Sequence, residues 1–122
     1  MASVEVALKD CMQIPGAVGV CLVDYNSGMS LGSVGGGGLD LDVAAAGNTD
    51  VVRAKLRTMD ALGIKGGIED ILITLEHQYH LIRPITGKSG TGLFLYLALN
   101  KATSNLAMAR RQLLNIEATL EV

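Results

Sequence analysis

The stretch "GLFLYLALN", residues 92–100, limits the possible folds more than any other. A strand with one face in water alternates apolar and polar residues. This one stays apolar throughout, so it reads as central in a sheet. "GAVGVCLVD" (16–24) reads the same way, as a valine-rich strand buried on both sides. With 122 residues, the chain has room for one real core, and a single domain over 1–122 is expected. Hydrophobic residues make up 49% and charged residues 18%, more apolar surface than a small sphere easily hides. Some of it is expected to enter a subunit contact.

Around these strands the pattern gives the order α-β-β-α-β-β-β-α. Val4, Ala7, Leu8 and Cys11 recur at helical spacing over 3–14, and Pro15-Gly16 stops that helix. "YNSG" (25–28) is hairpin-turn chemistry between 16–24 and a weaker strand at 29–35. "GGGG" (35–38) reads as a flexible hinge into a long helix that Asp40 or Asp42 caps and Gly63 ends. Leu41, Ala45, Asn48, Val52, Leu56, Met59 and Leu62 follow one face of this helix; Asp50, Arg53, Arg57 and Asp60 follow the other. Gly47-Asn48 marks a kink or a place where a second backbone comes close. "IEDILITLE" (68–76) places Ile71, Ile73 and Leu75 opposite Leu72, Thr74 and Glu76. A tight connection at His77-Gln78 leads to "YHLIRPIT" (79–86), where Arg83-Pro84 implies an edge, an end or a bulge. Thr103 or Ser104 caps the last helix, with Leu106, Ala109, Leu113, Ile116 and Leu120 as its apolar stripe.

The candidate chemistry is thin. "ITGKSGTG" (85–92) looks like the tail of a phosphate loop, but the required first glycine falls on Ile82 and a strand follows instead of a helix. Lys88 and Ser89 are therefore expected in a solvated hairpin turn. The glycines at 35–38 fail the dinucleotide fingerprint, because the third glycine's position holds Asp40 or Leu41. Cys11 and Cys21 read as small buried hydrophobes in a reducing cytosol. His77 and His80, beside Glu76, fall on opposite faces of a strand, a poor metal chelate, and read as solvated edge residues. Ser27, Ser30 and Ser33 have no base nearby, and Asp40 and Asp42 read as cap and dipole partners. No catalytic, metal or cofactor residue is assigned. A net charge of −2 and four aromatics (Tyr25, Tyr79, Phe94, Tyr96) argue against nucleic acid. The start lacks a signal peptide's pattern and no apolar run could span a bilayer, so a soluble, cytoplasmic protein is expected.

"IPGAVGVCLVDYNSGMSLGSVGG", "LITLEHQYHLIRPIT" and "GLFLYLALNKATSNLAMARRQL" together resemble the roadblock/dynein light chain 7 family, of bacterial or archaeal, longin-like type. The resemblance spans nearly the whole chain, although the turn at Glu76–Gln78 departs from the family's Asp-Gly type. It implies a five-stranded, mostly antiparallel sheet with helices on both faces, without enzymatic activity or cofactor. It also implies a homodimer in which the strand at 68–76 pairs with its twin and the middle helices pack together. Ala44, Gly47, Ile71, Leu72, Ile73 and Leu75 would form that interface. The partner it implies is a small Ras-like GTPase, regulated or scaffolded on a platform carrying Asp50, Arg53, Arg57 and Asp60. Such mixed charge suits a protein partner. A second reading of the residues is a PAS- or profilin-like ligand-sensing module.

Overall fold

A computed structural model describes residues 2–87 and 90–122. The elements run α1 (Val4–Met12), β1 (Ala17–Asp24), β2 (Met29–Gly35), α2 (Leu41–Ala61), β3 (Ile71–Thr74), β4 (Gln78–Pro84), β5 (Leu93–Asn100) and α3 (Leu106–Thr119). The strands form one sheet in the order β2-β1-β5-β4-β3. Every neighbouring pair is antiparallel. The apolar run at 92–100 is thus the middle strand, as its lack of alternation requires.

Both faces of β5 are covered, each by a different layer. Leu93, Leu95, Leu97 and Leu99 point toward α1 and α3, where they meet Ala7, Leu8, Cys11, Ala109 and Leu113. Phe94, Tyr96 and Ala98 point to the other side, toward Leu41, Ala45 and Val52 of α2. β1 divides likewise, with Val20 and Leu22 in the first core and Cys21 and Val23 in the second.

Local chemistry sets the ends of the elements. Asp40 is the cap of α2, its Oδ1 accepting from the backbone N–H of Asp42 and Val43. The glycines before it form a defined turn rather than a hinge. Gly35, Gly36 and Gly37 all have positive φ, and the Gly36 N–H donates to the Val18 carbonyl at 2.8 Å. A Cβ on Gly19 would lie 2.8 Å from the Gly36 backbone, so this corner requires glycine on both segments. α2 runs without a break through Gly47-Asn48. Its buried stripe takes Thr49 in place of Asn48, because the Thr49 hydroxyl satisfies itself on the Ala45 carbonyl at 2.8 Å. Leu62 lies past the helix end and is 66% exposed, off the apolar face assigned to it.

β3 is shorter than the expected 68–76. Asp70 is pulled toward α3 by a two-point ion pair with Arg110, at 3.0 and 2.8 Å. At the other end the Leu75 N–H donates to the Gln78 carbonyl and closes the turn. Pro84 is the last residue of β4, an interior strand, so Arg83-Pro84 marks an end and not an edge. Asn105 caps α3, accepting from the Met108 N–H at 3.0 Å. Thr103 and Ser104 do not, since the Ser104 hydroxyl donates to the Asn100 carbonyl instead.

Candidate functional site

An open, largely apolar surface lies where α2 meets β3. β3 sits at the sheet margin and pairs only with β4. Ile71, Leu72 and Ile73 are each half-buried along it. Ile71 and Ile73 pack on the α2 side and Leu72 on the opposite side. Between α2 and this margin runs an open groove of about 600 Å³, lined by Val51, Ala54, Lys55, Thr58, Ile68, Asp70 and Ile71. A second hollow of about 460 Å³ continues past Lys55, Ile68 and Asp70 to Arg83 and Arg110.

α2 presents two different flanks. Val51, Ala54, Lys55 and Thr58 face the groove. On the other flank Ala46 and Thr49 lie against Gly28 in the β1–β2 turn, and helical spacing puts Asp50, Arg53, Arg57 and Asp60 on that same side. All four are exposed. Of the residues expected to meet a twin, Ala44 packs with Ile71 and Ile73 over the second core. Gly47 lies exposed, with no atom within 4 Å of where its Cβ would be. Leu75 lies in the turn after β3 and is 41% exposed.

Among the described residues the polar side chains form no reactive constellation. Cys11 and Cys21 are buried, and burial first, then Asp10 and Asp42 respectively, pushes each thiol up to about 12. Both stay protonated and unreactive near neutral pH. His77 is exposed beside Glu76, with Nε2 3.6 Å from Oε1. His80 is not a solvated edge residue. It is half-buried on the α2 face, its Nε2 lies 2.8 Å from Gln78 Oε1, and the Tyr96 ring meets it edge-on. Burial lowers its pKa and raises that of Tyr96 to about 12. Ser27 closes the β1–β2 turn by accepting from the Met29 N–H, and Ser30 donates to the Gly32 carbonyl. Among the described residues no three His, Cys, Asp or Glu side chains are placed to hold a metal. No helix there is long and apolar enough to cross a membrane. Lys88 and Ser89 lie outside the described residues, but the element after them is strand β5, which offers no helix N-terminus to a phosphate.

One buried pair gave no signal in the sequence. Arg83 Nε donates to Glu117 Oε1 at 3.0 Å, and the Thr86 hydroxyl donates to Glu117 Oε2 at 3.2 Å. The carboxylate ties the end of β4 to α3 across 34 residues of chain, beyond the reach of any local pattern.

No family model matches the chain, and no curated protein matches it in sequence. Solved structures match it throughout. The Roadblock/LC7 domain from Streptomyces avermitilis has a TM-score of 0.78 at 13% identity, over 97% of this chain and 94% of that one. The chain therefore has the Roadblock/LC7 fold, a five-stranded antiparallel sheet between α2 and the α1–α3 layer. MglB of Myxococcus xanthus has a TM-score of 0.74 at 18% identity, over 93% and 77% of the two chains. The gliding protein MglB of Thermus thermophilus has 0.68 at 17% identity, over 94% and 88%.

Proposed function

We propose that this chain is a non-enzymatic member of the roadblock family, a homodimer that regulates or scaffolds a small Ras-like GTPase in the cytoplasm. The observation that carries the reading is the match of the whole chain to the Roadblock/LC7 fold, combined with the half-open margin at β3. A row of apolar side chains beside unpaired strand edge is an association hazard unless something covers it. A second copy related by a two-fold axis covers it economically, because the same surface then serves both sides. The groove flank of α2 carries Val51, Ala54 and Thr58, small enough for a second helix to come close. The GTPase partner follows from the resemblance in the sequence, and the mixed charges of Asp50, Arg53, Arg57 and Asp60 suit such a protein surface.

Light scattering at micromolar concentration tests the assembly. Wild type should run at twice the mass of the chain, and Ile73→Asp should run as a folded monomer. A wild type that is strictly monomeric overturns the dimer. The GTPase is sought among the products of neighbouring genes and by pull-down from the source cell. The expected result is capture of a small GTPase by wild type but not by a variant with the α2 charges reversed. The groove of about 600 Å³ favours a second reading, a small-ligand module, because its size falls within the range of ligand pockets. A monomer that carries a small molecule through purification, seen by native mass spectrometry, would support that reading instead.

A further inference from the structure

We propose that β2, the sheet margin opposite β3, receives an extended segment of the protein partner as an added strand. The inference rests on the partner surface proposed above on the outer flank of α2. β2 pairs only with β1, so its far side is open. It is the longer of the two margins, with seven residues against four in β3. Its sequence, MSLGSVG, holds none of the charges or prolines that guard a strand edge against pairing. Met29 and Leu31 on it are 65% and 52% exposed.

Hydrogen-bond alternation decides which backbone groups of β2 face outward. The Tyr25 N–H donates to the Gly92 carbonyl at 3.0 Å, a bonded pair that continues the β1–β5 register. In an antiparallel ladder bonded pairs recur at every second residue, so Val23 bonds with Phe94 and Cys21 with Tyr96. Val23 and Cys21 thus turn their N–H and C=O groups to β5. Their partners on β2, Ser30 and Ser33, point theirs away from β1, toward the margin. The Gly36 N–H, donating to the Val18 carbonyl, gives Ser33 the same outward setting from the other end of the strand. Between the two serines the register shifts by one residue, and Leu31 has no partner on β1. The bulge sets an exposed leucine between two outward backbone positions.

Open N–H and C=O groups along a margin are matched by another extended backbone, and exposed side chains beside them select the segment. Ser30 and Ser33 share the sheet face of Val23 and Cys21, which is the face α2 covers. There Ala46 and Thr49 of α2 lie against Gly28, next to the start of β2, and Asp50 and Arg53 follow on the same flank. A strand laid along β2 runs beside the charges assigned to the partner, so one molecule covers both. A second copy fits less well. With a twin on β3, pairing β2 to β2 makes an array that never closes. The bulge at Leu31 also interrupts the even run that a two-fold ladder needs. The fitting segment is therefore extended, apolar where it meets Met29 and Leu31, and mixed in charge where it passes Asp50 and Arg53.

Amide hydrogen exchange read by NMR tests this on the wild-type chain, with the small GTPase captured by pull-down as the probe. The Ser30 and Ser33 amides should exchange quickly in the chain alone, and the GTPase should protect both. Ser33→Pro removes an outward donor without touching the β1 ladder, which an edge strand tolerates. It should unfold near the wild-type temperature and raise the dissociation constant for the GTPase at least about tenfold. Unprotected amides in the complex, or a folded Ser33→Pro that binds as tightly as wild type, overturn the added strand alone, provided that binding still depends on Arg53 and Arg57. Growth of the chain by itself beyond a dimer, abolished by Ser33→Pro, makes a second copy the occupant and also overturns it. If no small GTPase binds wild type, the partner reading and the added strand fall together.

Discussion

At the scale of single residues, the strongest polar commitment in the fold is Glu117. Its side chain is 5% exposed and answers the charge of Arg83, whose side chain is 10% exposed. Removing one member of a buried pair leaves the other charged and unsolvated, which costs about 3–5 kcal/mol. Glu117→Ala is therefore expected to lower unfolding free energy by about 3 kcal/mol in urea, whereas the exposed pair Lys9–Glu5 should contribute well under about 1 kcal/mol. Equal losses at the two sites would contradict this assignment. The reason Glu117 was illegible in the sequence is general. Helix spacing identified Leu113, Ile116 and Leu120 as inward, but a glutamate between them reads as solvated unless its partner is known. That partner lies on a strand far away in the chain. Cys11 and Cys21 were legible for the opposite reason, since apolar neighbours on both sides already place a thiol inside.

The elements followed the sequence where periodicity set them and departed from it where tertiary contacts did. β1, β5 and α2 lie close to their expected spans, because runs of four or more apolar residues, or a repeating helical stripe, leave few alternatives; β2 keeps its span as an alternating strand after the turn. β3 lost residues at both ends, one to the Asp70–Arg110 pair and one to the turn at 75–78. Neither contact is written in the local pattern. The middle helix tests the difference between a local rule and its context. Glycine inside a helix costs roughly 1 kcal/mol relative to alanine, and at Gly47 a Cβ would meet nothing within 4 Å. Gly47→Ala should therefore raise the stability of the folded chain by about 0.5–1 kcal/mol in thermal unfolding. If a second α2 approaches there, Gly47→Leu should weaken self-association while leaving the protomer folded. A Gly47→Leu protein that assembles as tightly as wild type would place the contact elsewhere along the helix.

For the whole molecule, the sequence was enough to arrange the layers, because two strands without alternation demand cover on both faces. It did not determine which flank of α2 faces which neighbour. That depends on the helix's path across the sheet, with Ala46 and Thr49 meeting the β1–β2 turn while Val51, Ala54 and Thr58 overlook β3. The consequence is a separation of surfaces. A twin seated against the groove flank would leave Asp50, Arg53, Arg57 and Asp60 on the outer side of each helix, as two stripes rather than one central platform. Self-association and partner binding would then be independent, and mutations at the two should add without coupling. Reversing both arginines, Arg53→Glu with Arg57→Glu, turns each mixed stripe uniformly acidic. Binding to a GTPase that reads this stripe should fall by at least about tenfold, mainly through a slower on-rate that added salt partly restores by screening the new repulsion. The sedimentation of the variant alone should match wild type. If affinity survives while the dimer is intact, the partner docks on the α1–α3 layer instead, and the charges on α2 only keep the helix solvated.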